Sequence, residues 1–368
     1  MPQLVEKKAM NAMFFRRRRA LLRAGLATCG VAALAGIAGG HYLVPPIGQY
    51  RFSGDIMGTV YDVSFVAPLD DAGLRAAARS AVQAALESVD ARMSTFKPAS
   101  ELTSFNRHKR ETPFAVSDAV FSVVRAAQHI SAASDGAFDV TAGPLVNAWG
   151  FGPWREERVP AASELARLRR QVGYRLLTLD ESARTITKQH RDMYIDLSSI
   201  AKGYGVDLAA RALDGLGLER YVIEVGGEVR ARGSNVHGAP WQVAIEEPQA
   251  GPRVPRSVVP LDDLAMATSG DYRIYFERGG RRYSHEIDPV SASPVTHSLT
   301  SVTVVARECA VADACATALM VLGPDRGYAL AERLALGAYF ITRTPDGGLQ
   351  DRATPAFSAL QPRAIRAA

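Results

Sequence analysis

The feature of this sequence that most constrains its fold is a succession of strand-like segments with no helical segment between them. These segments follow one another between residues 221 and 306 and are separated by turn residues. They are Tyr221–Arg232, Trp241–Glu246, Asp263–Ala267, Arg273–Glu277, Arg282–Ile287 and Leu299–Ala306. Parallel strands need a long crossover, usually a helix, whereas antiparallel strands need only a turn. The pattern therefore predicts an α+β fold with antiparallel sheet rather than a doubly wound fold.

Helical segments flank this region on both sides. Residues Ala72–Met93 carry apolar residues on one face, and Ser117 is a suitable N-cap for a helix that reaches about Ser134. Further helices are predicted at Ala162–Gln171, Ala310–Leu322 and Pro324–Leu334. Other predicted strands are Thr59–Phe65, Tyr174–Leu179, Met193–Ile195 and Ala338–Thr342, and Ser94–Arg110 is predicted to be a loop.

The first 44 residues have the composition of a targeting segment. Five arginines precede the apolar stretch Ala24–Val44, and Arg18-Arg19 with the residues around it resembles a twin-arginine export signal. The apolar stretch is just long enough to span a bilayer if it is not cleaved. We therefore predict a periplasmic protein whose residues 1–44 are a cleaved export signal or an anchor in the inner membrane. Lipidation at Cys29 and a basic N-terminal arm on a cytosolic protein are the remaining alternatives.

The two ends of the remaining chain lack a clear pattern. Residues 45–55 begin with Pro45-Pro46 and are predicted to form a linker. Residues 346–368 show no regular apolar spacing and are predicted to form a loosely held C-terminal tail.

Charge and cysteine content exclude several classes of function. The net charge of +5 arises in residues 1–44, which contribute +6 and leave −1 for the rest of the chain. A nearly neutral body argues against a protein that binds nucleic acid. Only Cys309 and Cys315 lie beyond residue 44, and no Cys/His metal pattern is present. Both are predicted to be buried free thiols.

Residues Asp196–Gly205 carry a carboxylate, two serine hydroxyls, a lysine and two glycines between the strand-like run Met193–Ile195 and a predicted helix at Val206–Leu216. A helix start with free backbone N–H groups suits an anionic ligand, and Lys202 adds a point charge suited to phosphate. The local pattern equally fits a polar turn with an exposed lysine. Farther along, Asp313 and Thr317 share a helix face and offer two oxygen ligands to Mg²⁺. Alone, that pair equally fits a surface aspartate and a threonine bonded to its own helix.

More polar clusters occur in a defined order along the chain. They are Met57-Gly58-Thr59, Ser94-Thr95-Phe96 with Glu101–Asn106, Asp135–Pro144, Glu224–Glu228, and Ser269–Arg273 with His285–Pro289. Together with the two sites above, they resemble the ApbE family of FAD:protein FMN transferases from Met57 to about Leu334. The resemblance implies an α+β ApbE-like fold with antiparallel sheets and flanking helices over residues 56–345. It also implies an FAD site, with Mg²⁺, between two lobes.

The resemblance further implies an activity. Such an enzyme cleaves the pyrophosphate of FAD, transfers FMN to a Thr or Ser hydroxyl of an acceptor protein and releases AMP. With the export signal, the expected acceptor is an exported or membrane-bound flavoprotein of a respiratory or electron-transfer complex. The branch that serves nitrous-oxide-reductase maturation is one such setting. Two alternatives remain open: a Mg²⁺-dependent FAD pyrophosphatase that yields FMN and AMP, and a non-catalytic periplasmic flavin carrier.

The resemblance assigns roles to residues that match the family's motifs. Asp313, Thr317 and the backbone carbonyl of Ser199 are expected to bind Mg²⁺. His285 and Asp288 are expected to accept the proton of the acceptor hydroxyl. Residues expected to contact FAD are Met57, Phe96, Asn106, Ala137, Phe138, Asp139, Asp196, Lys202 and Ile287.

One turn departs from the family's motif. The family commonly has Thr-Gly where this chain has Ser291-Ala292. Because glycine adopts positive φ readily, we expect this turn to differ in shape.

Overall fold

The computed structural model describes residues 46–153, 156–249 and 251–365. The predicted signal or anchor at residues 1–44 lies outside these ranges. Within them, no helix is both long and apolar enough to cross a membrane.

The helices are α1 Ala72–Met93, α2 Glu101–Arg107, α3 Asp118–Ala133, α4 Gly143–Ala148, α5 Ala162–Arg169, α6 Ser198–Gly215, α7 Cys309–Arg333 and α8 Pro355–Ser358. The strands of the first half are β1 Ile47–Ile56, β2 Thr59–Pro68, β3 Phe114–Ala115, β4 Leu177–Asp180, β5 Thr185–Lys188, β6 Tyr221–Val225, β7 Glu228–Arg232, β8 Trp241–Glu246 and β9 Pro255–Leu261. The remaining strands are β10 Leu264–Gly270, β11 Tyr275–Arg278, β12 Arg281–Ser284, β13 Ile287–Asp288, β14 Ser293–Pro294, β15 Leu299–Ala306, β16 Gly337–Arg343, β17 Leu349–Ala353 and β18 Arg363–Ala364.

The main sheet has the strand order β1-β2-β6-β7-β10-β15-β16-β17, and every neighbouring pair in it is antiparallel. The predicted α+β class is therefore confirmed. Helices α1, α6 and α7 pack on one face, where Leu86, Val206 and Ile223 share a core. The small sheet β18-β9-β8 covers part of the other face through Trp241 and Val259.

Burial on both faces explains the hydrophobic run of β15. Residues Leu299–Val305 are all buried, because α7 covers one side of this strand and the core of the small sheet covers the other. Helix α3 and the short sheet β3-β5-β4 form a further core with the starts of α6 and α7. These layers surround the cavity described below.

Two terminal predictions are wrong. Residues 45–55 are not a linker, because Ile47–Ile56 pairs along its whole length with β2 and extends the main sheet. Its aromatic residues provide the reason, since Phe52 is buried against the rings of Tyr61 and Phe65. The C-terminal segment is not loosely held either: β17 adds an edge to the main sheet, and Phe357 is fully buried.

Several internal boundaries also differ from the prediction. The predicted loop Ser94–Arg110 contains helix α2, whose N-cap Ser100 accepts a hydrogen bond from the backbone N–H of Thr103. The predicted strand Met193–Ile195 joins no sheet, because a side chain, Asn106, takes the backbone hydrogen bonds of Ile195. Strand β9 was not predicted at all.

Helix α7 contains the two helices predicted after residue 309. They are joined across a kink at Gly323, where φ is +79° and Pro324 begins the second part. The predicted strand Tyr221–Arg232 is a hairpin whose turn is Gly226-Gly227, both with positive φ.

Candidate active site

A cavity of about 1220 Å³ lies between the main-sheet helices, the edge of strand β8 and the segment around β13. Twelve of the fourteen predicted site residues line it: Met57, Phe96, Ala137, Phe138, Asp139, Asp196, Ser199, Lys202, His285, Ile287, Asp313 and Thr317. The structure does not bring Asn106 or Asp288 to its wall. Residues that lie far apart in sequence thus meet at one place, as the sequence predicts.

Helix α6 begins at Ser198, so Lys202 and Gly203 lie inside a helix and not in a turn before one. This corrects the predicted start near Val206. Gly203 lies against the first turn of α7, where an added Cβ would be 2.4 Å from the carbonyl oxygen of Cys309. The absence of a side chain at this position lets α6 and α7 approach with backbone against backbone.

The start of α7 is held by a residue of α6. Asp207 accepts hydrogen bonds from the backbone N–H groups of Cys309 and Ala310, each at 3.0 Å, and it pairs with Arg230 at 2.7 Å. Glu308, the N-cap position of α7, makes no capping bond with its own side chain. Asp207 therefore satisfies helix N–H groups that would otherwise lack partners, and it fixes where α7 starts.

Asp313 reaches back from α7 to α6. Its Oδ2 accepts a hydrogen bond of 3.0 Å from the backbone N–H of Gly203. In a regular α-helix that N–H points at the carbonyl of Ser199, so the Asp313 carboxylate and the Ser199 carbonyl converge on one amide. Thr317 lies one helical turn beyond Asp313, and its hydroxyl is 3.2 Å from that of Ser269. Asp313, Ser199 and Thr317, which carry this carboxylate, this carbonyl and this hydroxyl, all line the same cavity.

This set of oxygen atoms fits Mg²⁺ better than a softer metal. Mg²⁺ prefers oxygen ligands and keeps several waters or phosphate oxygens in place of protein ligands. Over the described residues there is no group of three or more His, Cys, Asp or Glu side chains placed to hold a metal, as a zinc site would need. The two cysteines in these ranges, Cys309 and Cys315, are buried free thiols as predicted.

A half-buried lysine and a buried glutamate form an ion pair beside these oxygen atoms. Lys202 pairs with Glu228, whose side chain is only 4% exposed. Desolvation opposes the charge of Lys202, but the attraction of Asp313 and Glu228 outweighs it and raises the lysine pKa. Burial raises the pKa of Glu228 to about 7, and its Oε2 has no hydrogen-bond partner in the described structure. Burial likewise raises the pKa of Asp313. Lys202 therefore places a fixed positive charge at the cavity wall.

His285 presents an unprotonated nitrogen to the cavity. Its Nδ1 lies 3.2 Å from the carbonyl oxygen of Ile274. Because a carbonyl only accepts, Nδ1 carries the hydrogen and Nε2 is the acceptor in the neutral ring. Desolvation, together with the positive charge of Lys202, lowers the pKa of His285 to about 4. The ring is consequently neutral near pH 7, with the Nε2 lone pair available.

Sequence reasoning placed two acidic residues of the site, Glu228 and Glu286, in polar clusters but gave them no role. Glu286 is 6% exposed and lines the cavity, and its Oε1 is 3.7 Å from Nε2 of His285. Burial and the nearby Asp271 raise the pKa of Glu286 to about 8. Neighbouring residues of a regular strand face opposite sides of the sheet. A bend at His285, between β12 and β13, removes that alternation.

Comparison with known proteins shows the family to which this chain belongs. The pattern of the ApbE family matches residues 57–340. The chain belongs to the ApbE family. A relative from Haemophilus influenzae named FAD:protein FMN transferase is 43% identical over 316 residues, covering 84% of this chain and 90% of the relative.

Solved structures of the ApbE family agree with the fold. The flavin transferase ApbE from Vibrio cholerae superposes with a TM-score of 0.78 at 40% identity, over 85% of this chain and 99% of that one. The apo form of the Pseudomonas stutzeri flavinyl transferase ApbE gives the same TM-score and identity, over 85% of this chain and 97% of that one.

Three residues that the family resemblance assigned to the site have structural partners. Asn106 donates to the carbonyl of Ile195 at 2.9 Å and accepts from its N–H at 2.8 Å, so it holds the segment that leads to Asp196. Asp139 accepts from Thr141 and from the N–H of Tyr174, and it caps a short 3₁₀ helix at the cavity wall. Asp288 accepts from the N–H groups of the turn that follows it. Asp288 lies between Ile287 and Pro289, which line the cavity, but it is not itself part of the cavity wall.

The turn after Asp288 keeps the left-handed position that the family's glycine would occupy. Ala292 adopts φ of +59°, and its carbonyl accepts a hydrogen bond of 3.0 Å from the indole of Trp149. Losing the glycine therefore does not remove the left-handed turn, contrary to our expectation. The buried contact with Trp149 holds an alanine in a conformation that alanine otherwise disfavours.

Proposed function

We propose that this chain is a Mg²⁺-dependent FAD:protein FMN transferase that joins FMN to a Thr or Ser hydroxyl of an acceptor flavoprotein and releases AMP. One observation carries the proposal. Oxygen atoms suited to Mg²⁺, a lysine held in its charged form and an imidazole with a free nitrogen line the same cavity. The relatives named FAD:protein FMN transferase, from Haemophilus influenzae at 43% identity and Escherichia coli at 38%, support it.

Asp313, Thr317 and the Ser199 carbonyl would hold the metal ion, which supplies positive charge to the pyrophosphate group when bound. Lys202 adds a second positive charge that does not depend on the metal. Its pairing with Glu228 and its attraction to Asp313 keep it protonated throughout the neutral range. Charge stabilisation of this kind contributes most of the catalysis in phosphoryl transfer.

In this proposal, His285 accepts the proton of the acceptor hydroxyl. The hydroxyl oxygen bonds to the phosphorus of the FMN half, the bond from that phosphorus to the AMP half breaks, and AMP leaves with those electrons. The proton moves to Nε2 of His285, since Nδ1 is occupied with the Ile274 carbonyl. The low pKa of His285 keeps Nε2 unprotonated at neutral pH.

The acceptor and the location are also part of the proposal. The arginines and apolar stretch of residues 1–44 support export to the periplasm, by a cleaved signal or as a membrane anchor. An exported or membrane-bound electron-transfer flavoprotein is then the expected acceptor. Fractionation of cells that produce the full chain, compared with an Arg18→Lys, Arg19→Lys variant, tests the export signal. Equal export of both would contradict the twin-arginine assignment.

The activity is tested with the purified chain, FAD, Mg²⁺ and a fragment of an acceptor flavoprotein. Covalent flavin fluorescence on a denaturing gel, and intact mass, should show FMN on the acceptor but not on an acceptor whose Thr or Ser is alanine. Asp313→Asn and removal of Mg²⁺ with a chelator should each abolish transfer. The Haemophilus influenzae relative serves as positive control.

Two other outcomes would replace the proposal. Release of FMN and AMP without acceptor, and no labelling with it, would indicate an FAD pyrophosphatase. Tight FAD binding with neither cleavage nor transfer would indicate a flavin carrier.

A further inference from the structure

Strand β8 is an edge strand with an unused hydrogen-bonding side. The small sheet has the order β18-β9-β8, so within the part of the chain that the structure describes β8 has a strand neighbour on one side only. Among the described residues, no backbone group of Trp241–Glu246 bonds to another backbone outside the ladder with β9. A free edge of this kind can accept a further strand.

The pairing register of β9 with β18 and with β8 shows which residues of β8 have their backbone N–H and C=O groups on the unpaired side. The carbonyl of Arg256 in β9 accepts from the N–H of Ile365, so Arg256 and the alternate residues of β9 face β18. The residues between them, Ser257, Val259 and Leu261, therefore face β8. Their partners in β8 are Ile245, Val243 and Trp241. The backbone groups of the other β8 residues, Gln242, Ala244 and Glu246, consequently point away from the sheet.

The position of a proline agrees with this assignment. Pro260 lies opposite Gln242 and has no N–H to donate, which is tolerated where the pair exchanges no hydrogen bond. Gln242 and Ala244 are also exposed, whereas Trp241 and Ile245 are buried.

The free edge faces the cavity of the proposed active site. Five consecutive residues, Gln242–Glu246, line this cavity. Side chains of a strand alternate between two faces, so consecutive residues reach one space only along the strand's edge. The cavity of about 1220 Å³ exceeds the range of roughly 300–1,000 Å³ that holds most small ligands.

The edge also leads toward the metal-binding oxygen atoms. At its C-terminal end, Glu246 accepts a hydrogen bond of 2.6 Å from the hydroxyl of Tyr272 and pairs with Arg273 at 2.7 Å. That segment continues directly from Ser269, whose hydroxyl contacts Thr317. A chain lying along β8 would thus pass from solvent to the site.

We propose that strand β8 binds the acceptor protein by strand addition: an extended segment carrying the acceptor Thr or Ser pairs with the outward backbone groups of Gln242, Ala244 and Glu246. The inference rests on the proposed transferase function, which requires a polypeptide to enter this cavity. Main-chain hydrogen bonds supply the affinity in such complexes, and the side chains at alternate positions set the specificity.

The test uses a synthetic peptide of about ten residues around the acceptor Thr or Ser, long enough to form one strand. A series of such peptides carries a single N-methyl group at successive backbone nitrogens. Strand addition predicts that kcat/KM for the peptide falls when the N-methyl group is at every second backbone nitrogen and changes little when it is at the nitrogens between these. The expected fall is about 3- to 10-fold, which corresponds to the loss of one hydrogen bond. FAD binding should not change.

A paired test changes the enzyme. Ala244→Pro removes one outward N–H from the edge, and Ala244→Ser keeps it. The proline variant should raise KM for the peptide several-fold while its affinity for FAD and its thermal unfolding stay near those of the serine variant.

The possible results separate the two proposals. Equal rates for all methylated peptides, or losses without the two-residue period, would overturn docking on β8 and leave the transferase function standing. No transfer even to the unmethylated peptide and intact acceptor would refute the function itself, and docking with it.

Discussion

Replacing Gly203 with alanine should disturb the active site without touching any group that performs the chemistry. An alanine Cβ at this position would lie 2.4 Å from the carbonyl oxygen of Cys309 and 2.8 Å from Cα of Ala310. Ordinary carbon–oxygen contacts are about 3.3 Å or longer, so α6 and α7 must separate by about 1 Å. The atoms in the way belong to the backbone and cannot rotate aside.

The magnitude combines two opposing effects. Overpacking of a tight contact costs about 1–3 kcal/mol, and the upper part of this range applies because backbone must move. Replacing glycine with alanine within a helix stabilises the helix by up to about 1 kcal/mol, which offsets part of this cost. We therefore expect Gly203→Ala to lower the free energy of unfolding by about 1–2 kcal/mol. The shift also moves Asp313 from the Gly203 N–H, and a 1 Å displacement of catalytic groups can reduce the rate about 100-fold.

Urea denaturation measures the first effect, and the rate of FMN transfer to the acceptor at saturating FAD measures the second. The matched control is Gly215→Ala in the same helix, where an added Cβ meets no atom within 4 Å. It should leave transfer unchanged and stabilise the protein by a few tenths to about 1 kcal/mol. If Gly203→Ala were as stable and as active as Gly215→Ala, the close approach of α6 and α7 would not be what positions Asp313.

Three further predictions concern single side chains. Asn106→Leu should lower the free energy of unfolding by about 2 kcal/mol or more in urea denaturation, because the buried N–H and C=O of Ile195 lose their partner; an unchanged midpoint would contradict this. Glu286 has a folded-state pKa of about 8 against an ordinary 4.5, so its stabilising contribution is present below pH 4.5 and is lost as pH rises to 8. Glu286→Gln should therefore gain stability relative to the parent chain between pH 5 and pH 8, by at least about 1.4 kcal/mol, and parallel stability curves would refute the raised pKa. Thr317→Val should raise the Mg²⁺ concentration needed for half-maximal transfer by about tenfold or more, with FAD binding in the absence of metal unchanged; an unaltered Mg²⁺ titration would exclude its hydroxyl as a ligand.

Local sequence patterns correctly predicted the helices and strands in which buried apolar residues recur at one regular spacing. Helix Ala72–Met93 and strand Leu299–Ala306 have the predicted bounds, since each carries a regular or continuous apolar pattern that ends at a polar residue. The start of α6 was placed too late. Its first turns contain Lys202, Gly203 and Gly205, which look like a turn in sequence but are helical because they pack on α7.

The candidate site, like the fold, was predicted only in part. The resemblance to the ApbE family, which rests on polar clusters in a defined order, assigned Asp313, Thr317, Lys202 and His285 to the site. It gave no role to Glu228 or Glu286, because an ordinary acidic residue becomes a group with a raised pKa only through burial by distant segments.

The sequence by itself determined the α+β class, the ApbE resemblance and twelve residues of the cavity wall, because apolar period and motif order are properties of the chain alone. Only the tertiary structure decided that residues 47–56 form a sheet edge, that Gly203 is a helix contact and that β8 faces the cavity with its free side. These depend on which segments become neighbours across long stretches of sequence. Hydrogen bonding, desolvation and steric contact act between those neighbours and leave no local periodic signal.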